Sequence, residues 1–403
     1  MDGGTSCPFG DSRAPRPPNL APPVRCLHVR LQRFRAYEAG DFHFAPGLNL
    51  LHGPNGAGKT NVLEAVHYLA LTKSFVATND AYAVRAGHAS AEIRGDFEGE
   101  RRGAFNVRVV LGEGGKQVQV GGAPLTRVAE HVGRIPLVVM APQDYVLTSG
   151  GPEERRRFLN NLLSQARPVY LDDLIRYNRA LKQRNELLGS TRGRRFTLAP
   201  DLLESWTEEV ATLGARIVHA RAGALAGFQR YLDDAYAHLG DAVERPSLRY
   251  DGPVETSEGD AIDAIAERLR ARFAKAAAKE RENGRTLVGP HRDEVTFRLG
   301  AFDVRRYASQ GQHRTFGVAL RLAQFFYLRD LAGETPVLLL DDLFGSLDPA
   351  RTRLLLELLT RGDVGQSIVT HPDLAPVEAL VPFDDVLHRA IAVEAAGSGL
   401  PEA

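Results

Sequence analysis

"LHGPNGAGKT", residues 51–60, decides the fold. It contains G-x-x-x-x-G-K-T, the spacing of a loop that wraps phosphates. Gly53, Gly56 and Gly58 let the backbone take positive φ and approach a ligand closely. The loop of Gly53, Pro54, Asn55, Gly56, Ala57 and Gly58 then turns its free N–H groups inward as an anion nest. Lys59 reaches the β- and γ-phosphates as a point charge, and Thr60 offers a hydroxyl to Mg²⁺. The flanks agree. "LNLL", 48–51, reads as a buried strand. "TNVLEAVHYLAL", from residue 60, places Val62, Leu63, Val66 and Leu69 at helical spacing. A helix N-terminus under the phosphates adds its dipole.

The chain has 403 residues, enough for two or three domains or for one large α/β unit with an insertion. It is 43% hydrophobic and carries 50 Lys+Arg against 50 Asp+Glu. Any nucleic-acid contact therefore rests on a local patch, not on net charge. Cys7 and Cys26 make neither a disulfide framework nor a zinc site, which suits a reducing cytoplasm. No apolar run has membrane-spanning length, so no membrane role is expected. Residues 1–23 are Pro- and Gly-rich without an apolar core. They are expected to form a disordered extension, with folding from about Val24.

Outward from the loop, residues 24–145 read as β-rich, largely as half-buried strands. "CLHVRLQRF" alternates through Leu27, Val29 and Leu31, and "FNVRVVL" through Phe105, Val107 and Val109. "KQVQVGG" ends in a glycine turn. "IPLVVM", 135–140, is continuous and suits a central strand. From Pro152 the period becomes helical. Apolar faces run through Phe158, Leu159, Leu162 and Leu163, then Leu171, Leu174, Ile175 and Leu181. Others run from Trp206 to Phe228 and through Ile262, Ile265, Leu269 and Phe273. None sustains heptads long enough for an extended coiled coil. Strand signals return in "DEVTFRL", "PVLLLDD" and "QSIVTH".

"TPVLLLDDLFGSLD", 335–348, carries a buried strand into carboxylates at its C-terminal end, where ligands sit in open α/β sheets. Asp341 falls where a carboxylate holds Mg²⁺ through water. Asp342 falls where a general base polarises the attacking water. In "YASQGQHRTFGVALRLAQ", 307–324, Ser309, Gln310 and Gly311 precede a helix with Val318, Leu322 and Phe325 on one side. By itself this is an N-capped helix. Beside a phosphate loop it is a second anion site, best used on nucleotide held by a partner copy.

The phosphate loop, "SQGQ", "LLLDD…SLD" and "VTH", in this order, resemble an ABC-type ATPase head. With "LQRFRAYE" (31–38), "GGPEERRRFLN" (150–160) and "GPHRDE" (289–294), the ensemble resembles the bacterial RecF recombination-mediator family over about residues 24–390. The resemblance implies an α/β fold: an ABC-ATPase-type head, a P-loop NTPase lobe with flanking β-sheet, built from both chain ends. A helical arm is inserted. The expected divisions are 1–23 as extension, 24–150 and 285–390 as head, 151–284 as arm and 391–403 as a flexible tail.

Residue by residue, the resemblance makes Gly53 to Thr60 the Walker A loop and Asp341 and Asp342 the Walker B pair. Aspartate at the second Walker B position, where such heads usually carry glutamate, implies slow hydrolysis. Ser309 and Gly311 match the signature facing the partner's γ-phosphate. Asp348 matches the D-loop aspartate, His371 the switch histidine, and Gln143 a Q-loop glutamine near Mg²⁺ and water. Arg35 matches a basic residue close to the nucleotide. The implied cofactors are ATP and Mg²⁺. The implied partners are DNA (double-stranded, gapped or junction, and single-stranded), a second copy in an ATP-dependent homodimer, and RecO- and RecR-like mediators. The implied role is a weak DNA-dependent ATPase in cytoplasmic DNA repair, recombination, replication and the SOS response. ATP acts there as a switch. Arg155, Arg156 and Arg157 read either as a solvated helix face or as phosphate contacts. His291 and Arg292 read as turn-positioning or interface residues. An ABC transporter subunit, an SMC-like structural clamp and a P-loop kinase are the alternatives. The long helical insertion opposes the first, the missing heptads the second, and "SQGQ" the third.

Overall fold

Residues 21–190, 200–239, 244–362 and 364–394 are described by the computed structural model. The extension expected over 1–23 lies outside them up to residue 20, and the expected tail lies outside them from residue 395. The chain forms two compact units. The first comprises 1–144, 234–242 and 314–403. The second comprises 145–233 and 243–313.

The first unit holds two sheets. Strands β1 (Arg25–Phe34), β2 (Tyr37–His43), β4 (Ser90–Gly99), β5 (Gly103–Gly112), β6 (Gln117–Val120) and β7 (Ala123–Pro124) form an antiparallel sheet in the order β2-β1-β4-β5-β6-β7. Their alternation buries one face, with Val29, Leu31, Ile93, Val107 and Val109 inside. Leu27 departs from the alternation and is 38% exposed. The reason is a register shift between Cys26 and His28 in the β1–β4 pairing, which turns Cys26 inward instead.

The second sheet is parallel: β14 (Arg389–Ala392), β3 (Leu48–His52), β13 (Ser367–His371), β12 (Val337–Leu340) and β8 (Leu137–Met140), in that order. Its runs are apolar on both faces because both faces are covered. β8 ends the sheet and does not occupy its middle, as its apolar sequence had suggested. Helix α1 (Lys59–Leu71) packs on both sheets. Gly95 on β4 admits it closely, since a Cβ there would stand 2.5 Å from the Leu69 Cδ1. Gln366 ties the sheets together, accepting from the Cys26 N–H at 2.7 Å and donating to the carbonyls of Cys26 and Ala45 at 2.8 Å each. Helices α9 (Pro349–Leu359) and α10 (Ala375–Glu378) complete the unit.

The second unit contains α2 (Tyr145–Ser149), α3 (Pro152–Ala166), α4 (Pro168–Ser190), most of α5 (Pro200–His238), α6 (Ile262–Asn283) and α7 (Val304–Tyr307). Helix α8 (Gln310–Ala332) starts in it and continues into the first unit. A small sheet of β9 (Pro246–Asp251), β10 (Glu294–Leu299) and β11 (Phe302–Asp303) belongs to the same unit. "DEVTFRL" is therefore not a strand of the nucleotide-side sheet: it pairs with β9. This sets the unit boundaries near 145 and 314, not near 151 and 285.

Buried arginines organise this unit. Arg221 donates to the Asp293 carboxylate and the Pro290 carbonyl at 2.7 Å each, to Asn160 at 2.9 Å and to the Tyr170 hydroxyl at 3.1 Å. Tyr250 also donates to Asp293. Arg184 donates to Glu280 at 2.6 Å and Thr286 at 2.8 Å. The "GPHRDE" stretch thus acquires a packing role. Pro290 and Asp293 hold Arg221, and the His291 Nδ1 lies 2.7 Å from the Tyr177 hydroxyl. Arg292 is exposed.

Candidate nucleotide site

Each candidate loop of the first unit leaves the C-terminal end of a parallel strand: 53–58 follows β3, 341–342 follows β12, and the turn of Gln143 follows β8. His371 ends β13. This is the edge where open α/β sheets bind ligands.

In the loop, Gly53, Gly56 and Gly58 have φ of 146°, 81° and 101°. Two of them are also needed for space. A Cβ at Gly53 would collide with the Val393 carbonyl, and one at Gly58 would stand 3.0 Å from the Tyr37 ring. Pro54, Asn55 and Gly56 are exposed, whereas Ala57 is buried. Lys59 folds back over the loop, its ammonium donating to the carbonyls of Gly53 at 2.7 Å and Pro54 at 2.9 Å. Burial lowers its pKa, opposed by the nearby Asp342 and Asp341. A phosphate would add counter-charge to this cation and offset the effect of burial.

Thr60 on α1 donates to the Asp341 Oδ1 at 2.7 Å, and Thr370 on β13 donates to the same oxygen at 2.9 Å. Burial raises the Asp341 pKa, and the two hydroxyls and Lys59 oppose it. The residues fit Mg²⁺. With its hydroxyl proton held by Asp341, Thr60 keeps its oxygen lone pairs for the ion, and Asp341 would accept from a metal-bound water. Asp342 is exposed at φ 43°, and its N–H donates to Thr370 at 2.8 Å. Thr370 therefore couples both carboxylate positions to β13, a role its place in "VTH" did not reveal. The His371 Nδ1 lies 2.6 Å from the Asp373 carbonyl and 3.0 Å from the Asp373 N–H, which leaves Nε2 outside both contacts.

Gln143 is exposed on a turn pinned by Asp144, which accepts from the Ala141 N–H at 3.0 Å and from Arg321 at 3.1 and 2.5 Å. Arg35 forms a fork with the fully buried Glu64 of α1, at 2.8 and 2.6 Å, and donates to the Tyr82 carbonyl at 2.7 Å. Its guanidinium thereby braces α1 directly behind the phosphate loop. Asp348 caps α9, accepting from the N–H groups of Ala350 at 3.1 Å and Arg351 at 3.0 Å. These bonds, with the Arg351 side chain, hold its carboxyl below the ordinary range.

In the second unit, Ser309 and Gln312 form a reciprocal capping box at the start of α8. The Ser309 hydroxyl accepts from the Gln312 N–H at 3.2 Å, and the Gln312 side chain accepts from the Ser309 N–H at 2.8 Å. His313, buried, holds this turn through the Thr148 hydroxyl at 2.8 Å. Ser309, Gln310 and Gly311 are all exposed. An accepting Ser309 oxygen keeps its own proton for a further acceptor. The arginine run divides three ways. Arg155 is buried and doubly bonded to Glu294, at 2.7 and 3.0 Å. Arg156 donates to the Asp293 carbonyl at 2.6 Å, and Arg157 pairs with Glu153 and Glu154. Arg155 is thus neither a solvated side chain nor a phosphate contact. The sequence shows charge but not the acceptor on β10 that draws it inside.

A model described as "AAA domain" matches residues 28–186. A DNA replication and repair protein RecF of Salinibacter ruber is 49% identical over 373 residues, covering 92% of this chain and 90% of that protein. A solved structure, "the recombination mediator protein RecF-ATPrS in RecFOR pathway", superposes with TM-score 0.82 at 28% identity, covering 93% and 99% of the two chains. An Smc head domain of Pyrococcus furiosus shares the fold alone, with TM-score 0.52 at 15% identity over 93% and 94%. The phosphate loop on a parallel sheet and the extent of this likeness agree, and the chain belongs to the RecF family of DNA replication and repair proteins.

Proposed function

We propose that this protein is an ATP-operated dimerisation switch on DNA, used in repair and recombination. The observation that supports the proposal is the presence of two incomplete candidate sites on one chain. Lys59, Thr60, Asp341 and Thr370 gather at one strand-end edge, while the Ser309 cap is exposed to solvent, where it could serve a ligand held by another copy. The loop from Gly53 to Thr60 binds the phosphates of ATP. Thr60 and Asp341 hold Mg²⁺, which when bound neutralises developing phosphate charge. Asp342 accepts the proton of the attacking water, and Gln143 orients that water. His371 donates to the γ-phosphate oxygens. Across the dimer, Ser309, Gln310 and Gly311 cap the partner's nucleotide, and Asp348 lies at the interface. Hydrolysis removes the γ-phosphate that both subunits grip, so the dimer parts.

DNA is the proposed surface for this switch, at gaps or junctions and on single or double strands. RecO- and RecR-like proteins are the proposed partners in loading recombinase. Dimerisation doubles the phosphate contacts, and with them the salt dependence of binding. A near-neutral chain, with 50 basic and 50 acidic residues, suits a DNA affinity that depends on pairing. Among the described residues, no helix is long and apolar enough to cross a membrane. The test is sedimentation with ATP, ADP or no nucleotide, each with and without gapped DNA. ATP alone should shift the protein to a dimer, and that dimer should bind DNA. A protein whose mass and DNA affinity ignore ATP would sink the proposal.

A further inference from the structure

We infer a site for a phosphate monoester within the second unit, in the cavity on which the stretches "GGPEERRRFLN" and "GPHRDE" converge. The cavity measures about 350 Å³, the size range of small-ligand sites. Helix α3 lines it with Glu153, Arg156, Arg157 and Asn160. These stand at i, i+3, i+4 and i+7, so one face of the helix turns toward it. Asn178 lines it from α4 and Arg221 from α5. Leu174, Ile217 and Pro290 give it an apolar wall.

Charge decides the ligand. Arg221 is buried and matched by Asp293 at 2.7 Å. Arg157 is matched by Glu153 at 3.2 Å and Glu154 at 2.9 Å. Arg156 is half-buried, and among the described residues it donates to a neutral acceptor, the Asp293 carbonyl at 2.6 Å, with no carboxylate in ion-pair contact. Burial lowers its pKa, and repulsion from Arg221 adds to the effect. An anion from outside would supply the counter-charge. Neutral donors stand beside it. The Asn160 Oδ1 accepts from the Tyr170 hydroxyl at 2.7 Å and from Arg221 at 2.9 Å. Arginine can only donate, so this amide is fixed one way round, and its NH₂ group is left for another acceptor. Donors from α3 and α4 suit an oxyanion with three terminal oxygens better than a planar carboxylate. The apolar wall suits the sugar of a nucleoside monophosphate. Glu153, the single acid among the lining residues, is 76% exposed and has room to swing aside. A free nucleoside monophosphate and the 5′ end of a DNA strand carry the same group.

The test is calorimetric titration of the full chain carrying Lys59→Met, without Mg²⁺. That substitution silences the phosphate loop of the first unit, so the heat reports the second unit. Deoxyadenosine 5′-monophosphate should bind at one site, and deoxyadenosine should not. Adding Arg156→Gln should weaken binding about 10-fold or more, the worth of a charge-assisted bond. Adding Glu153→Gln should strengthen it by up to about 5-fold, because an exposed competing carboxylate is gone. This exposed change also decides the matter if Arg156→Gln misfolds. Short single strands with a 5′-phosphate or a 5′-hydroxyl separate the two sources. Preference for the phosphorylated strand assigns the site to a strand end, and monophosphate binding without that preference assigns it to the free nucleotide. No saturable monophosphate binding by the Lys59→Met protein would overturn the inference. So would equal binding of deoxyadenosine, or an affinity that Glu153→Gln and folded Arg156→Gln leave unmoved.

Discussion

Arg155→Ala should unfold the second unit early, although the residue sits in a run of surface-like charges. The Arg155 side chain is 4% exposed and its partner Glu294 is 30% exposed. Three charge-assisted bonds are lost, two to Glu294 and one to the Gly150 carbonyl at 2.9 Å. Burial raises the Glu294 pKa, but the Arg155 bonds outweigh it and hold the carboxyl below its ordinary range. Breaking a fully buried pair costs about 3–5 kcal/mol. Glu294 is partly solvated and recovers some hydration, so the loss should be about 2–3 kcal/mol. With a urea slope of about 2 kcal/mol/M, the midpoint falls by about 1–1.5 M. Trp206, the single tryptophan, lies in α5 of this unit and reports its unfolding directly. Arg157→Ala is the internal comparison. Its side chain is 56% exposed beside Glu153 and Glu154, and its change should stay within about 0.5 kcal/mol. Equal midpoints for the two variants would refute the assignment of Arg155 as an internal anchor.

Other outcomes follow from the same geometry. Lys59→Met should abolish ATP binding in equilibrium dialysis, because the loop loses the cation now folded over Gly53 and Pro54. Asp342→Asn should retain ATP binding while hydrolysis falls about 10²–10⁴-fold in a phosphate-release assay, the usual worth of a general base. His67 is fully buried, and desolvation pushes its pKa down to about 3, against the Lys73 carbonyl that accepts from it. Its folded pKa lies below the unfolded value, so its contribution to stability is present above about pH 6.5 and is lost as pH falls toward 3. His67→Gln should flatten that part of an acid melt.

Much of this was legible in the sequence because it is local. The phosphate loop, its strand and its helix sit within residues 48–71, and the apolar run before Asp341 announces its own burial. What was illegible depends on partners distant in sequence. Leu27 is exposed because of a register shift against β4, which no periodicity within β1 encodes. "IPLVVM" is as apolar as a central strand, and Leu137, Val138 and Met140 are buried, yet its pairing with β12 leaves it at the end of the sheet. Tyr37 and Thr370 lie in the quoted stretches "RAYE" and "VTH", but only the fold brings the Tyr37 hydroxyl within 3.2 Å of the Gly58 carbonyl and Thr370 onto Asp341. Ser309 shows both readings at once: a capping box seen from its own helix, and an exposed donor seen from outside.

The shared ATP site is tested most directly by sedimentation velocity of Ser309→Arg in saturating ATP, with nucleotide occupancy and phosphate release measured on the same sample. In the proposed dimer the new cation would stand where the partner's γ-phosphate docks, while Gly53 to Thr60 remain intact. Ser309→Arg should bind ATP with wild-type affinity, stay monomeric, and lose hydrolysis and stable DNA binding together. A monomeric Ser309→Arg protein that hydrolyses ATP at the wild-type rate would contradict the two-subunit mechanism.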